Sequence, residues 1–236
     1  MGTSMSKKPK IIILHGWSYS LDKWSDFIAA MNQVGYICEL LPIPGLTDKL
    51  DTAWTLDDYV NWLDSKLMDT NNILLGHSNG GRIAIAYTAR FPKKVSQLIL
   101  IASAGIIHQD FKTTSKKMIF KVLAKVGKLI TRSENLKKLM YKLAREHDYY
   151  LASPVMKQTM QQLISVNVLP LLTKIETPTL LIWGEKDQAT RVEDAIKMGN
   201  ALTHPALHTI PTAKHAPQFT HTEEVVKIIH EYLQSV

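Results

Sequence analysis

Three short stretches carry, in chain order, a serine, an acid and a histidine. They are Gly76-His77-Ser78-Asn79-Gly80, Trp183-Gly184-Glu185-Lys186-Asp187 and Lys214-His215-Ala216-Pro217. Together these residue types can do one chemistry. A serine hydroxyl is a weak nucleophile near neutral pH, so a base must take its proton as it attacks. A histidine serves as that base when its other ring nitrogen is held and a carboxylate balances the developing imidazolium. The order Ser…Asp…His is one in which such a trio occurs. Attack on an acyl carbon creates an oxyanion, which needs preformed N–H donors. The backbone of Asn79 offers one, because it follows the serine and opens a helical pattern whose dipole favours negative charge.

Reactive residues need elements to hold them. Asn72-Ile73-Leu74-Leu75 reads as a short apolar strand, and Arg82-Ile83-Ala84-Ile85-Ala86-Tyr87 as the start of a helix. Gly-x-Ser-x-Gly between them implies a sharp turn that lifts the Ser78 hydroxyl clear of a sheet. Gly76 and Gly80 make it possible by bringing no side chain where strand and helix nearly touch. Further strands read at Lys10–Leu14, Tyr36–Leu41, Gln97–Ile101, Thr179–Trp183 and Ala206–Ile210. Most are near-continuous apolar runs, as in strands covered on both faces.

Helical patterns lie between them. One carries Leu21, Trp24, Phe27, Ile28 and Met31. Another opens with Thr55-Leu56-Asp57-Asp58 as a capping box and carries Tyr59, Trp62, Leu63 and Leu67. Others follow Ser78, run from Val192 to Leu202 and close the chain from Glu223 to Leu233. This alternation predicts a mostly parallel sheet with helices on both faces. Residues 106–170 break it with three helical patterns and no strand. Met118, Ile119, Val122, Leu123 and Val126 stripe the first, Leu136, Leu139, Met140 and Leu143 the second, and Ser153-Pro154 caps the third. The expected organisation is a core of 1–105 and 171–236 with a helical lid, 106–170, inserted into it.

Composition bounds the rest. At 236 residues with 45% hydrophobic types, the chain is one domain, or one domain with an insertion. The formal charge of +7 is concentrated. Between Asp110 and Glu146 stand eleven Lys and Arg against three acids, a net of +8, which leaves the remainder near neutral. No aromatic-interleaved basic motif or helix-turn-helix accompanies it, so nucleic acid is not expected. Cys38, the single cysteine, reads as a small buried hydrophobe and can form no intrachain disulfide. The first eight residues hold no apolar region, and Ile11–Leu14 is too short for a signal sequence or a membrane span. Cytoplasmic residence is the expectation. No zinc spacing, phosphate loop or dinucleotide fingerprint appears, so no metal and no cofactor are implied.

These motifs sit at the carboxyl ends of strands, where open α/β sheets build their sites. Together with His15-Gly16-Trp17 after the first strand, they make the chain resemble the α/β-hydrolases from Lys10 to the C-terminus. The stretch Ile175-Glu176-Thr177-Pro178-Thr179-Leu180-Leu181-Ile182-Trp183-Gly184-Glu185-Lys186-Asp187 is especially close to the family pattern. The resemblance implies Ser78 as nucleophile, Asp187 as acid and His215 as base, with the backbone of Trp17 as the second oxyanion donor. Glu185 competes for the acid's role. An acid after the fourth strand, used by some members, is missing from Ile101-Ala102-Ser103-Ala104-Gly105. Of nine histidines only His215 stands just past the last strand.

Departures from the family pattern are also visible. The short N-terminus leaves no room for the usual antiparallel hairpin, so about six strands are expected rather than eight. Leu41-Pro42-Ile43-Pro44-Gly45-Leu46 replaces the usual Asp and Gly-x-Gly turn, and Asn79 replaces a bulkier apolar residue.

A serine in the elbow argues against the dehalogenases and epoxide hydrolases of this fold. What remains is acyl chemistry on an ester, thioester, lactone or amide. Esters are the default, since alkoxides leave more easily than amines. A carboxylesterase for small to medium apolar acyl groups is therefore expected, with His15, Trp17, Tyr19, Trp24, Met118, Phe120, Tyr149 and Tyr150 as candidate pocket residues. His15 could instead shape the oxyanion loop by hydrogen bonding. His15-Gly16-Trp17 and His215-Ala216-Pro217 are similar to the loops of pimeloyl-carrier-protein methyl ester esterases, and a basic lid would suit an acidic carrier protein or an anionic interface. From a different class, some members with intact triads are slow-turnover small-molecule receptors.

Overall fold

The computed structural model describes residues 10–18, 20–67, 70–107 and 152–235. Six strands form one sheet: β1 (Lys10–Leu14), β2 (Ile37–Leu41), β3 (Asn72–His77), β4 (Val95–Ile101), β5 (Thr179–Gly184) and β6 (Pro205–Ile210). Their order is β2-β1-β3-β4-β5-β6, and every pairing is parallel. Burial follows position. Every residue of β3 and β5 is buried, whereas edge strands β2 and β6 leave Ile37 and Leu207 exposed. Pro205, which cannot donate to a ladder, opens an edge strand, where its loss is harmless. Cys38, expected to be fully buried, is half-buried on edge strand β2, and burial pushes its thiol up to about 11.

The helices are α1 (Ser25–Gln33), α2 (Leu56–Lys66), α3 (Asn79–Arg90), α4 (Pro154–Ile164), α5 (Leu169–Leu172), α6 (Val192–Ala201), α7 (Pro217–Thr220) and α8 (Thr222–Ser235). The longer outer helices turn one apolar face to the sheet, whereas α3 is buried on nearly every side. Leu56, Tyr59, Val60 and Leu63 bury one face of α2, and Val225, Val226, Ile229 and Tyr232 one face of α8. A fully buried side chain of this kind contributes about 1.5–3 kcal/mol. Thr55 caps α2 as the sequence predicts: its hydroxyl accepts from Asp58 N–H at 3.2 Å, and the Asp58 carboxylate accepts from Thr55 N–H at 2.8 Å. The pattern from Leu21 divides into a 3-10 turn, Asp22–Trp24, and α1.

Chain direction across the sheet reverses once. From β1 the chain moves outward to β2, then returns past β1 to β3 and proceeds to β6. Right-handed crossovers on either side of that reversal place helices on opposite faces. Accordingly α1 packs on α8, while α2, α3, α5 and α6 contact one another in series. The reversal opens a crevice between the carboxyl ends of β1 and β3, which is where ligands bind in open α/β sheets.

Between β4 and β5, residues 108–151 are outside the described residues, so the stripes at Met118 and Leu136 and the basic run lie there too. The described remainder of the 106–170 segment includes α4, capped as expected by the Ser153 hydroxyl, which accepts from Met156 N–H at 3.2 Å. The chain returns beside its point of departure, where Val168 N–H donates to the Gly105 carbonyl at 3.0 Å. Among the described residues no helix is long and apolar enough to cross a membrane.

Candidate active site

Ser78 stands between β3 and α3 with φ +52° and ψ −117°, a conformation L-residues rarely adopt. Sterics and hydrogen bonds enforce it together. A Cβ on Gly80 would collide with the Leu14 carbonyl oxygen, and one on Gly76 would lie 2.5 Å from Gly81 Cα. The elbow is thus pressed against β1 and α3 at two points where only glycine fits. The Ser78 N–H donates to the Ile101 carbonyl at 3.1 Å, and its carbonyl accepts from Gly81 and Ala104 N–H at 3.0 and 2.9 Å. The hydroxyl is therefore aimed by a backbone that cannot rotate away.

His215 Nε2 lies 3.0 Å from Ser78 Oγ, and His215 Nδ1 lies 2.8 Å from Asp187 Oδ2. An ionised carboxylate only accepts, so Nδ1 carries the proton and Nε2 is free to accept from the serine. Asp187 is wholly buried at its side chain. Its Oδ1 accepts from Ala189 and Thr190 N–H at 2.7 and 3.1 Å, and its Oδ2 also accepts from the Thr190 hydroxyl at 2.8 Å. Burial alone would raise this carboxyl. The hydrogen bond and charge of His215 and the donors from Ala189 and Thr190 outweigh it and hold the group below its usual range. Glu185, the competing acid, is exposed and accepts from Thr209 instead, at 2.9 Å.

The two amides read as oxyanion donors flank the switch-point crevice. Asn79 opens α3, where the first N–H groups of a helix have no intrahelical acceptor, and Trp17 follows β1. Among the described residues neither amide has a hydrogen-bond partner.

The structure places His15 beneath the site rather than on a pocket wall. Its ring is fully buried. Nε2 accepts from Ile43 N–H at 3.2 Å, so Nδ1 bears the proton and donates to the Gly16 carbonyl at 2.8 Å. Desolvation by burial holds its pKa below the ordinary imidazole value. Trp24 is also core: it is 2% exposed and packs edge-on against Phe27, His77 and Phe219. Trp17 is half-buried. Tyr19, Met118, Phe120, Tyr149 and Tyr150 lie outside the described residues.

The unusual loop Leu41–Leu46 has a scaffold task. Ile43 and Leu46 are buried, Ile43 N–H reaches His15, and a Cβ on Gly45, whose φ is +86°, would strike Met156 of α4. Two buried residues, one at the Asp187–His215 pair and one bracing α4, were not singled out in the sequence. The Thr190 hydroxyl lies 2.8 Å from Asp187 Oδ2, 3.1 Å from the Ala102 carbonyl and 3.4 Å from His215 Nδ1. The buried Arg82 guanidinium donates through one nitrogen to the carbonyls of Leu163 and Val166, both at 2.6 Å, which satisfies the C-terminal end of α4. Spacing three residues beyond the acid was the only available sign of Thr190. Arg82 reads as one more polar residue of a helix.

Among the described residues no group of three or more His, Cys, Asp or Glu side chains could hold a metal ion. The chain is 26% identical to the pimeloyl-[acyl-carrier protein] methyl ester esterase of Shewanella woodyi, over 98% of this chain and 96% of that one. It is 23% identical to a 2-hydroxy-6-oxononadienedioate/2-hydroxy-6-oxononatrienedioate hydrolase of Comamonas testosteroni, over 94% of this chain and 87% of that one. Its fold is shared by MGS-MChE2, an alpha/beta hydrolase enzyme from the metagenome of lagoon sediments at Mar Chica, Morocco. The TM-score is 0.72 and the identity 24%, with 97% of this chain and 92% of that one covered. The family described as the alpha/beta hydrolase fold matches residues 9–222, and the chain belongs to that family.

Proposed function

We propose that this hydrolase cleaves carboxylic esters of small to medium apolar acyl groups through a Ser78–His215–Asp187 triad and an acyl-enzyme. The observation that carries the reading is the continuous run of hydrogen bonds from Ser78 Oγ through the His215 ring to Asp187, 3.0 and 2.8 Å long. His215 Nε2 takes the Ser78 proton as Oγ bonds to the ester carbonyl carbon. The oxyanion that forms is held by the amides of Asn79 and Trp17, and the imidazolium is balanced by Asp187. Collapse breaks the bond to the alkoxy oxygen, which leaves with the proton from His215. Water then repeats the sequence on the acyl-enzyme and frees Ser78.

The 106–170 segment serves in this reading as a helical lid over an apolar pocket. Similarity to a carrier-protein methyl ester esterase and the basic run between Asp110 and Glu146 favour a second form, in which the acyl group arrives on an acidic carrier protein. Lactones and thioesters fit the same chemistry, and a slow receptor the same fold.

The test is a panel of nitrophenyl esters of increasing chain length, with lactones and carrier-bound acyl esters alongside, together with covalent labelling by a fluorophosphonate. Stoichiometric labelling of Ser78 is expected, with kcat falling about 10³–10⁶-fold in Ser78→Ala. Labelling that persists in Ser78→Ala removes the nucleophile assignment. Fast multiple turnover separates the enzyme from the receptor. Carrier-bound substrate preferred over its free methyl ester selects the carrier form.

A further inference from the structure

The base is held at three places, and two have an evident source. Asp187 fixes the His215 ring, and Ser78 meets its other nitrogen. The third is its backbone: the His215 carbonyl accepts from His77 Nε2 at 3.0 Å, across 138 positions in sequence. His77 immediately precedes Ser78. A carbonyl cannot donate, so Nε2 of His77 carries the proton and Nδ1 is bare. Resting on the triad reading above, we infer that His77 is a positioning residue that ties the backbone of the base to the strand bearing the nucleophile.

Every neighbour of His77 suits that role. Its ring lies 5.1 Å from the His215 ring and packs against Trp24 and Phe219, at 6.1 and 6.3 Å. A Cβ on Gly16 would come within 3.0 Å of His77 Nδ1 and 3.1 Å of Ser78 Cβ, so the oxyanion loop rests on the same ring. His77 thereby touches the nucleophile by covalent bond, the oxyanion loop by packing and the base by hydrogen bond. The charged and titratable groups around it are His215 and Asp187 from the two loops beyond β6 and β5, and His15 from the loop beyond β1. Burial first, and His215 beside it second, push its pKa down to about 3. A neutral donor is what this place requires. A charged imidazolium 5.1 Å from His215 would oppose the positive charge that the base acquires during each turnover.

The His77–His215 bond has little force to supply. Without the bond, the Thr212–Ala216 loop keeps its tie from Lys186 N–H to the Ala213 carbonyl, and the ring keeps Asp187. What is lost is the fixed distance between the Ser78 and His215 backbones, and misplacement by about 1 Å can cost 10²-fold in rate.

The test uses His77→Gln, His77→Asn and His77→Leu beside Ser78→Ala, on a short nitrophenyl ester. A glutamine amide can put its N–H where Nε2 stands, while an asparagine amide reaches only the Nδ1 position. The expected result is kcat lowered about 10–100-fold in the Asn and Leu variants with KM within about threefold, and kcat restored to within about threefold in Gln. Fluorophosphonate labelling rates should fall in the same order. Nitrogen-15 NMR of the wild-type ring should show the Nε2–H tautomer between pH 6 and 8, which keeps the inference testable if a variant fails to fold. An Nδ1–H tautomer, unchanged kcat in Asn and Leu, or equal loss in all three variants would overturn it. Full activity in Ser78→Ala would instead remove the triad reading on which it rests.

Discussion

The Ser78 half of the candidate site and the His215 half are built by different forces. At the β1–β3 end, backbone meets backbone. Gly80 is pressed on Leu14, Gly76 on Gly81, and Ser78 is held at φ +52° by contacts with no side chain in them. At the β5–β6 end, side chains do the holding. Asp187 takes four hydrogen bonds, Thr190 lies between Asp187, Ala102 and His215, and the His215 carbonyl is reached by a ring from another strand. The first half leaves no room for an added atom, and the second depends on a shared set of donors. β6, moreover, is an edge strand with most of its residues exposed, so the loop bearing His215 starts from the less constrained side of the sheet.

Four changes probe that contrast, ordered by size. Asp187→Asn leaves the carboxylate's shape but removes its charge and favours the wrong imidazole tautomer. A loss of kcat near 10⁴ is expected, about 5.5 kcal/mol of barrier and the size known for the serine-protease example, with thermal stability little changed. Glu185→Gln should stay within about twofold on the same assay. A reversed ranking would make Glu185 the acid.

Gly80→Ala attacks the other half. Its methyl has nowhere to go except into the Leu14 carbonyl, so a stability loss of about 3–5 kcal/mol by chemical denaturation is expected, with activity falling alongside. A soluble variant of wild-type stability would show that the elbow can give.

Thr190→Val keeps volume and removes the hydroxyl shared among Asp187, Ala102 and His215. About tenfold in kcat is expected, with KM unchanged, because the acid retains its backbone donors from Ala189 and Thr190. An effect on KM alone would assign Thr190 to substrate binding.

The smallest effect is on stability against pH. His77 and His15 both have folded pKa values depressed by burial. Above the unfolded imidazole value of about 6.5 neither state is protonated, and their contribution to stability is complete. As pH falls below that, toward the folded value near 3 for His77, the unfolded chain takes up protons that the folded chain refuses, and stability drops. Unfolding free energies at pH 7.5 and about 5.7 should therefore differ less in His77→Gln than in wild type, by about 1 kcal/mol. Asp187, also depressed, pulls in the same direction in both proteins and cancels in the comparison. An equal gap would mean that His77 is not desolvated.

The same contrast explains what could be read beforehand. Glycine spacing, the capping box at Thr55 and the apolar runs of β1, β3 and β5 are local patterns with local causes, so the six-stranded fold and the elbow were legible. His215 and Asp187 were legible because each stands just beyond a readable strand. Thr190 and Arg82 were not, since a threonine or arginine carries no mark of a partner 25 or 81 positions away. His15 and Trp24 were read toward the pocket because aromatic rings near a site look alike in sequence, whether they line a cavity or lie under it. Burial separates them.

The neck at Gly105 and Val168 has a bearing on how such a protein can change. Strand β4 pairs directly with β5, Leu98 beside Thr179, although the whole inserted segment lies between them in sequence. Because departure and return are tied by one hydrogen bond, the sheet's register is indifferent to the length of what is looped out. Doubling a flexible loop adds only about 0.6 kcal/mol of closure entropy. Apart from α4, which Arg82 and the Leu41–Leu46 loop hold to the core, what lies between the two strands is in effect a cassette. It can be lengthened, recharged or exchanged over evolutionary time while the strands beneath keep their pairing, so one reactive centre can be offered to successive clienteles without being rebuilt.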